Sequence, residues 1–570
     1  MCKWRPDINS YMDSIAYTTS YAYNGADQLI QMTYPSGRTV AMTRNVLGQV
    51  ASVATTQGTT ETVSSTMTYQ PFGPMSGMIY GNNLVQSRSY DLDYRLTQIL
   101  TMNGVAHQDM AYTYDSANNI TDINNLVDIA KSQTLAYDAL NRLSDATSNY
   151  GDIDYTYDAI GNRLSETIDA VAETYTYDVN SHHLEQTVNG GVTDYTYDAN
   201  GNTTSNTTNI FTFGDNNRLK TSGIGASTLA TYTYNGRGER VKKDGNGITY
   251  YHYDQGGQLI AETDATGTTQ VEYIYIDGQP VSIVTSGTLN FIHTDHLGTP
   301  QQITDATQAI VWKADYSPFG EAAMTTELIT NNLRFPGQYY DSETNLHYNW
   351  YRYYDPSTGR YITSDPIGIS GGLNTYLYAN GNPIILIDPL GLYCLSPQEI
   401  NGIAGGIGGA FSGAVTGALL ASPTGPGAGV GAAIIGALGG TIGAGLGYFG
   451  TSSAGGQAAS GAGNAIVGSG SPLSSAFGGA VGGATSSALQ SNGMSDTHAG
   501  IAGGGAGGAV GAASAAFFSS GAPSSVAGAI SFALQSALKG GLAGLSGAAL
   551  SAAIAEALRA GNDCDEDECK

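Results

Sequence analysis

Tyrosine alternates with polar residues through most of the first two thirds of the chain. In YTYDAIGNRLSET, which begins at Tyr155, the aromatic positions Tyr155 and Tyr157 are separated by Thr156. On a strand, that spacing places both rings on one face. Asp158 to Asn162 then gathers Asp, Gly and Asn, residues that turn a chain, and an extended run resumes at Arg163. The unit therefore predicts strand, turn, strand. It recurs as YTYDVNSHHLEQT from Tyr175 and YTYDANGNTTSNT from Tyr195. Looser copies start at 112, 135, 232 and 251, a period of about 20 residues. One hairpin cannot bury its tyrosine face alone, so neighbouring units must stack into a continuous antiparallel sheet.

The pattern changes at DPLGLYC, residues 388–394. After Glu399 no charged residue appears until Asp496. Ser396, Pro397 and Glu399 read as a helix start, with an N-cap, a first-turn proline and an acid at the third position. Gly405, Gly409, Gly413 and Gly417 then recur every four residues, which places them on one helical face. Gly436 and Gly440 repeat the spacing after an SPTGPG turn. Each apolar block is 22 residues long. As helix that is about 33 Å, close to the roughly 30 Å of a bilayer's hydrocarbon core. In water each such glycine costs about 1 kcal/mol against alanine, whereas in a membrane small residues let helices approach closely. The stripe predicts packed, membrane-inserting helices. The competing readings are a Gly/Ala linker and a water-soluble helical bundle.

The expected fold is thus mainly β, a long antiparallel structure of stacked repeats, followed by a Gly/Ala-rich α-helical region. The expected domains are a repeat array over 1–290, a segment with its own motifs over 291–392, and an apolar C-terminal domain over 393–570.

Charge narrows the function. The formal net charge of −26 argues against a nucleic-acid partner, which would need a basic stripe. Residues 393–570 hold one histidine, His498, and few bases, a poor stock for nuclease chemistry. The tail DCDEDEC is too polar to cross a membrane. Four cysteines make no disulfide framework. MCKWRPDINSYMDS lacks the apolar core of a signal peptide. His293, Asp295 and His296 in HTDH are too few to hold a metal on their own, so neither metal nor other cofactor is expected.

Two Asp-Pro-x-Gly turns flank the border, DPIG at Asp365 and DPLG at Asp388. Alone, each is a turn. Together they offer two carboxylates that cannot both ionise cheaply, so one can act as base and the other as acid towards a nearby peptide bond.

The repeats resemble the YD repeats of Rhs proteins and of the related toxin-complex C components. HTDHLGTPQQITD at 293, FPGQYYDSETNLHYNWYRYYDPSTGRYITSDPIG at 335 and NTYLYANGNPIILIDPLGL at 374 resemble the Rhs repeat-associated core. The resemblance implies that the antiparallel YD repeats form a β spiral or cocoon, possibly incomplete, around a C-terminal toxin, and that the chain cleaves itself between Leu392 and Tyr393. Asp365 and Asp388 would be the catalytic pair, with Arg360 orienting a carboxylate. No other enzymatic turnover is expected. The resemblance also implies a polymorphic toxin; the N-terminus implies delivery without a signal peptide, and the glycine stripe a pore-forming action at a target-cell membrane. An immunity protein and either a secretion component or an N-terminal shell partner would accompany it. The alternatives are an adhesive repeat wall with an inert tail, and an enzymatic toxin with an unrecognised site.

Overall fold

The computed structural model describes residues 8–13, 15–71, 73–392 and 394. The expected helices, with Gly405, Gly409, Gly413, Gly417, Gly436 and Gly440, and the distal half of the expected cleavage bond, Tyr393, lie outside the described residues. The described chain is antiparallel β throughout, with three short 3-10 turns and no α-helix among the described residues.

Strands pair in chain order. The first sheet has 18 strands, from Ile8–Met12 to Val192–Asp194. A second has 14, from Thr196–Tyr197 to Ala322–Glu327. A small sheet of four strands follows: Tyr339–Asp341, Leu346–Asn349, Arg352–Asp355 and Arg360–Tyr361. Within each sheet every strand pairs with its immediate successor, as Gly151–Tyr157 does with Arg163–Ile168.

The repeat chemistry explains this regularity. Tyr155 is buried, and Tyr157 packs against the same apolar cluster. A bulge at Thr156/Tyr157 adjusts the register just before the turn. Tyr157 donates its hydroxyl to the Leu143 carbonyl of the preceding unit at 2.8 Å. The same bond recurs from Tyr114 to Leu96, Tyr137 to Ile120, Tyr177 to Arg163, Tyr234 to Leu219 and Tyr253 to Arg240. Asp158 holds the turn, its Oδ1 accepting from the backbone N–H groups of Ile160 and Asn162 at 3.0 and 2.9 Å. Gly161 closes the turn at φ 89°, where a Cβ would be strained. Each unit thus makes its own corner and ties itself to its predecessor.

The two large sheets bury their apolar faces against each other. Val40, Val53 and Leu84 of the first meet Ile274, Val284 and Phe291 of the second in one cluster. Polar ties cross the same seam: Tyr34 donates to the Tyr273 carbonyl at 2.8 Å, and Arg38 pairs with Glu272 at 2.6 Å, both charges buried. The small sheet packs Tyr339, Leu346 and Tyr353 on Phe211, Tyr232 and Tyr251 of the second sheet.

The loop after the small sheet is pinned to the repeat turns of the first. Asn374 donates to Asn162, and Asn382 donates to Asn119 and to the Asn141 carbonyl. Tyr376 donates to the Gly201 carbonyl. A cavity of about 610 Å³ lies between the sheets, bordered by Tyr34, Tyr253, Tyr275, Arg334, Pro389 and Leu390. That is the scale of a small-molecule pocket.

Candidate active site

The site is built on the small sheet and the two turns that follow it. Arg352 pairs with Asn349 across a tight hairpin, and Tyr354 pairs with Tyr361. Strand side chains alternate, so Arg352, two before Tyr354, shares the face that Tyr361 occupies. Both point at the DPLG turn. Gly391 ends that turn at φ 69°, and a Cβ there would meet the Asn349 carbonyl at 2.5 Å. Only glycine lets the turn sit this close to the sheet.

Arg352 joins the two carboxylates. Its Nη2 lies 3.1 Å from Asp365 Oδ2 and 3.0 Å from Asp388 Oδ2. Its Nε donates to the Gly391 carbonyl at 2.6 Å, and its guanidinium lies 3.5 Å from the centre of the Tyr361 ring. Asp388 also accepts from the Tyr361 hydroxyl at 2.8 Å and, through Oδ1, from the Leu392 N–H at 2.9 Å. Asp365 Oδ1 accepts from the Ile367 N–H at 2.9 Å. The two carboxylates are bridged by one guanidinium nitrogen, whose two hydrogens can serve both acids at once.

Asp365, Asp388, Arg352 and Leu392 are all buried. Burial pushes the Asp365 carboxyl up to about 6, against the opposing pull of Arg352 and the Ile367 N–H, with the Asp388 charge adding to the rise. Burial, and then the Asp388 charge, pushes the Tyr361 phenol well up. The nearby Cys394 thiol is likewise pushed up by burial, which makes it a poor nucleophile.

The Leu392 N–H is held by Asp388, and the Leu392 carbonyl oxygen and Asp365 Oδ2 both pack against Gly371, where a Cβ would collide with both. A titratable carboxyl and a peptide carbonyl therefore lie on either side of one glycine, near a second carboxylate and a guanidinium. Such a set can deliver and remove a proton at that peptide bond.

Four expected site residues thus have places. Asp365, Asp388 and Leu392 come together; Arg360 does not join them. Its guanidinium donates to Asn162 and to the His182 carbonyl and lies over the rings of Tyr177 and Tyr376. It neighbours Tyr361 on the same strand, so alternation turns it to the opposite face. The expectation that Arg360 orients a carboxylate is corrected: Arg352 does so. The parity of NWYRYYD and GRYITSD, with Tyr361 as the shared reference, was the signal that could have separated the two arginines. Tyr361, Asn349 and Gly371 were also missed. His293 and His296 serve packing: His293 bonds Thr304, His296 bonds the Ile384 carbonyl, and Asp295 holds its own turn.

Comparison with known proteins matches residues 23–62 to the family described as RHS Repeat, 162–288 to Teneurin YD-shell and 290–325 to RHS protein. The chain is 32% identical over 238 residues to Double-stranded DNA deaminase toxin A of Burkholderia cenocepacia, covering 35% of this chain and 16% of that one. It is 40% identical over 121 residues to Toxin protein Tse5 of Pseudomonas aeruginosa, covering 20% and 9%. It is 31% identical to tRNA nuclease WapA of Bacillus subtilis, covering 45% and 12%. The chain therefore spans less than a fifth of each of these relatives. Among solved structures, the Photorhabdus luminescens Tc holotoxin pore superposes with a TM-score of 0.59 at 23% identity, over 66% of this chain and 21% of that one. At that identity the likeness is one of fold.

Proposed function

We propose that this chain, which belongs to the Rhs/YD-repeat proteins, is the shell-and-cutter portion of a polymorphic toxin that severs itself after Leu392 and so frees residues 393–570. The observation that carries the proposal is the convergence of Asp365, Asp388 and Arg352 on the Leu392 peptide. Asp365, as carboxylate, takes a proton from a water whose oxygen bonds to the Leu392 carbonyl carbon. The proton passes to the Tyr393 nitrogen as the C–N bond breaks, leaving a Leu392 carboxylic acid and a Tyr393 amine. Arg352 compensates the charge of both acids throughout. Asp388 fixes the Leu392 N–H and so aims the carbonyl.

The freed segment acts on a target-cell membrane. Its support is the four-residue glycine spacing from Gly405 to Gly417 and the shortage of His and basic residues for nucleic-acid chemistry. The deaminase and nuclease named among the relatives favour a second reading, an enzymatic cargo. Encapsulation calls for an N-terminal shell partner or a secretion component, and the toxin for an immunity protein.

Intact mass spectrometry tests the cutter. The purified chain should separate under denaturing conditions into 1–392 and 393–570, and Asp365→Asn or Asp388→Asn should leave it whole. A folded wild-type chain that stays uncut sinks the self-cleavage reading. Dye release from liposomes by the separated 393–570 piece, with nucleic-acid degradation scored in parallel, decides between the two cargoes.

A further inference from the structure

Three consecutive strands of the small sheet each give one side chain to Asp388: Asn349 from Leu346–Asn349, Arg352 from Arg352–Asp355 and Tyr361 from Arg360–Tyr361. Asn349 sits directly opposite Arg352, and Tyr354 opposite Tyr361, so strand pairing puts all three on one face of the sheet. Asn349 Nδ2 lies 2.8 Å from the Asp388 carbonyl oxygen and 2.8 Å from the Tyr361 hydroxyl. The direction of this chain of bonds is fixed by the one member that cannot donate. A backbone carbonyl only accepts, so Asn349 must turn its nitrogen, not its oxygen, towards Asp388. The same nitrogen donates to the Tyr361 oxygen, which leaves the single phenolic proton for Asp388 Oδ2, 2.8 Å away. Asn349, Tyr361 and Asp388 are all buried, away from competing bulk water.

We infer that Tyr361 is a positioning residue for the cut: its hydroxyl, oriented by Asn349, holds the Asp388 carboxylate at the angle that grips the Leu392 N–H. The inference rests on the self-cleavage proposed above. The two oxygens of Asp388 are held by different groups, Oδ2 by Tyr361 and Arg352 and Oδ1 by the Leu392 N–H. Rotation of the carboxylate that frees Oδ2 therefore also takes Oδ1 off the peptide. Arg352 alone fixes that angle poorly, because its Nη2 is shared with Asp365 and its Nε goes to the Gly391 carbonyl. The Tyr361 hydroxyl gives its one proton to Asp388. The ring has a separate task, since its centre lies 3.5 Å from the Arg352 guanidinium. Hydroxyl and ring serve different groups, so substitution can separate them.

The test is Tyr361→Phe in the full chain, which removes the hydroxyl and keeps the ring on Arg352. Cleavage is followed by mass from a freshly refolded start, and the first-order rate constant is read separately from the fraction of chains that fold. A purely structural role would lower the folded fraction and leave the rate constant alone. Tyr361→Phe should lower the rate constant by on the order of 10- to 100-fold. The acid limb of the pH–rate profile should stay in place, because Asp365 is shifted by burial, Arg352, the Ile367 N–H and the Asp388 charge. Asn349→Leu should also slow cleavage, and the double variant should be slowed by less than the product of the two factors, since Asn349 acts in part through that hydroxyl. A Tyr361→Phe rate constant within threefold of wild type, a shifted limb or factors that simply multiply overturns the inference while leaving the cutter intact. An uncut wild type overturns the cutter itself. Should Tyr361→Phe fail to fold, Asn349→Leu alone decides: a lowered rate constant is expected, and a wild-type one overturns the inference. If neither variant folds, hydroxyl and amide are structural and the inference falls.

Discussion

At the scale of single residues, Asp365 sets the pH response. Burial pushes its carboxyl up to about 6, and in the proposed cleavage the base must be unprotonated. Cleavage should therefore be flat above about pH 7 and fall towards tenfold per pH unit below about 6. A limb near the ordinary carboxylate value would show that Asp365 is not the base. Arg352 pulls the Asp365 pKa down while burial pushes it up. Arg352→Met should accordingly shift the limb upward and leave two buried acids without their cation, a loss of about 3–5 kcal/mol in stability. Urea unfolding and the pH–rate profile read the two effects separately. The paired Asp-Pro-x-Gly turns made Asp365 and Asp388 legible in sequence, because those residue types announce themselves. The choice between Arg352 and Arg360 was not legible by proximity in sequence, since the deciding fact is which face of a strand each occupies. Gly371 left no trace at all: its meaning depends on atoms brought near by folding.

At the scale of the element, the repeat unit was readable down to its corner. Asp158 and Gly161 do what their chemistry predicts. The second tyrosine was read only as a face-sharing partner of the first, and its larger role emerges from a carbonyl about one repeat away, which no local pattern marks. Tyr157→Phe removes the bond to the Leu143 carbonyl while keeping the ring. It should cost about 1 kcal/mol and raise hydrogen exchange at the junction between the units centred on Asp138 and Asp158. Exchange raised uniformly along the sheet would show that the bond does not act locally. Asn162 is different, because it accepts from both Arg360 and Asn374. It couples the wall to the segment that carries the site.

At the scale of the whole molecule, buried histidines set the response to acid. Burial lowers His252 to about 4 and His293 to about 3, and burial with the Arg334 charge lowers His347 to about 3. Below about pH 6.5 the unfolded chain takes up protons at these sites while the folded chain does not, so stability is lost as pH falls through that value. Asp254 and Asp365, at about 6 in the folded state, act oppositely, taking up protons first when folded and gaining stability over the same range. A matched comparison isolates the histidines. His293→Gln with His347→Gln should lose about 4 kcal/mol less than wild type between pH 7 and pH 5 in urea unfolding, at roughly 1.4 kcal/mol per pH unit and per histidine. Equal losses would mean that these two sites do not report on folding. The mainly β architecture was legible from the tyrosine period. The mutual burial of the two sheets was not, because facing strands such as those carrying Val53 and Ile274 are far apart in the chain.

The pinning of Asn374 and Asn382 to the turns at Asn162, Asn119 and Asn141 has a temporal consequence. Synthesis runs from the first repeat to the last, and a meander of next-neighbour strands can form as it emerges, since no strand waits for a distant partner. The loop that carries Asp365 and Asp388 comes after all of them. Its anchors are finished corners of the wall, so the cutter acquires its geometry only on a wall that already exists. In the proposed self-cleavage, severance would then be an act of inspection: a chain whose repeats had misfolded would keep its C-terminal segment attached.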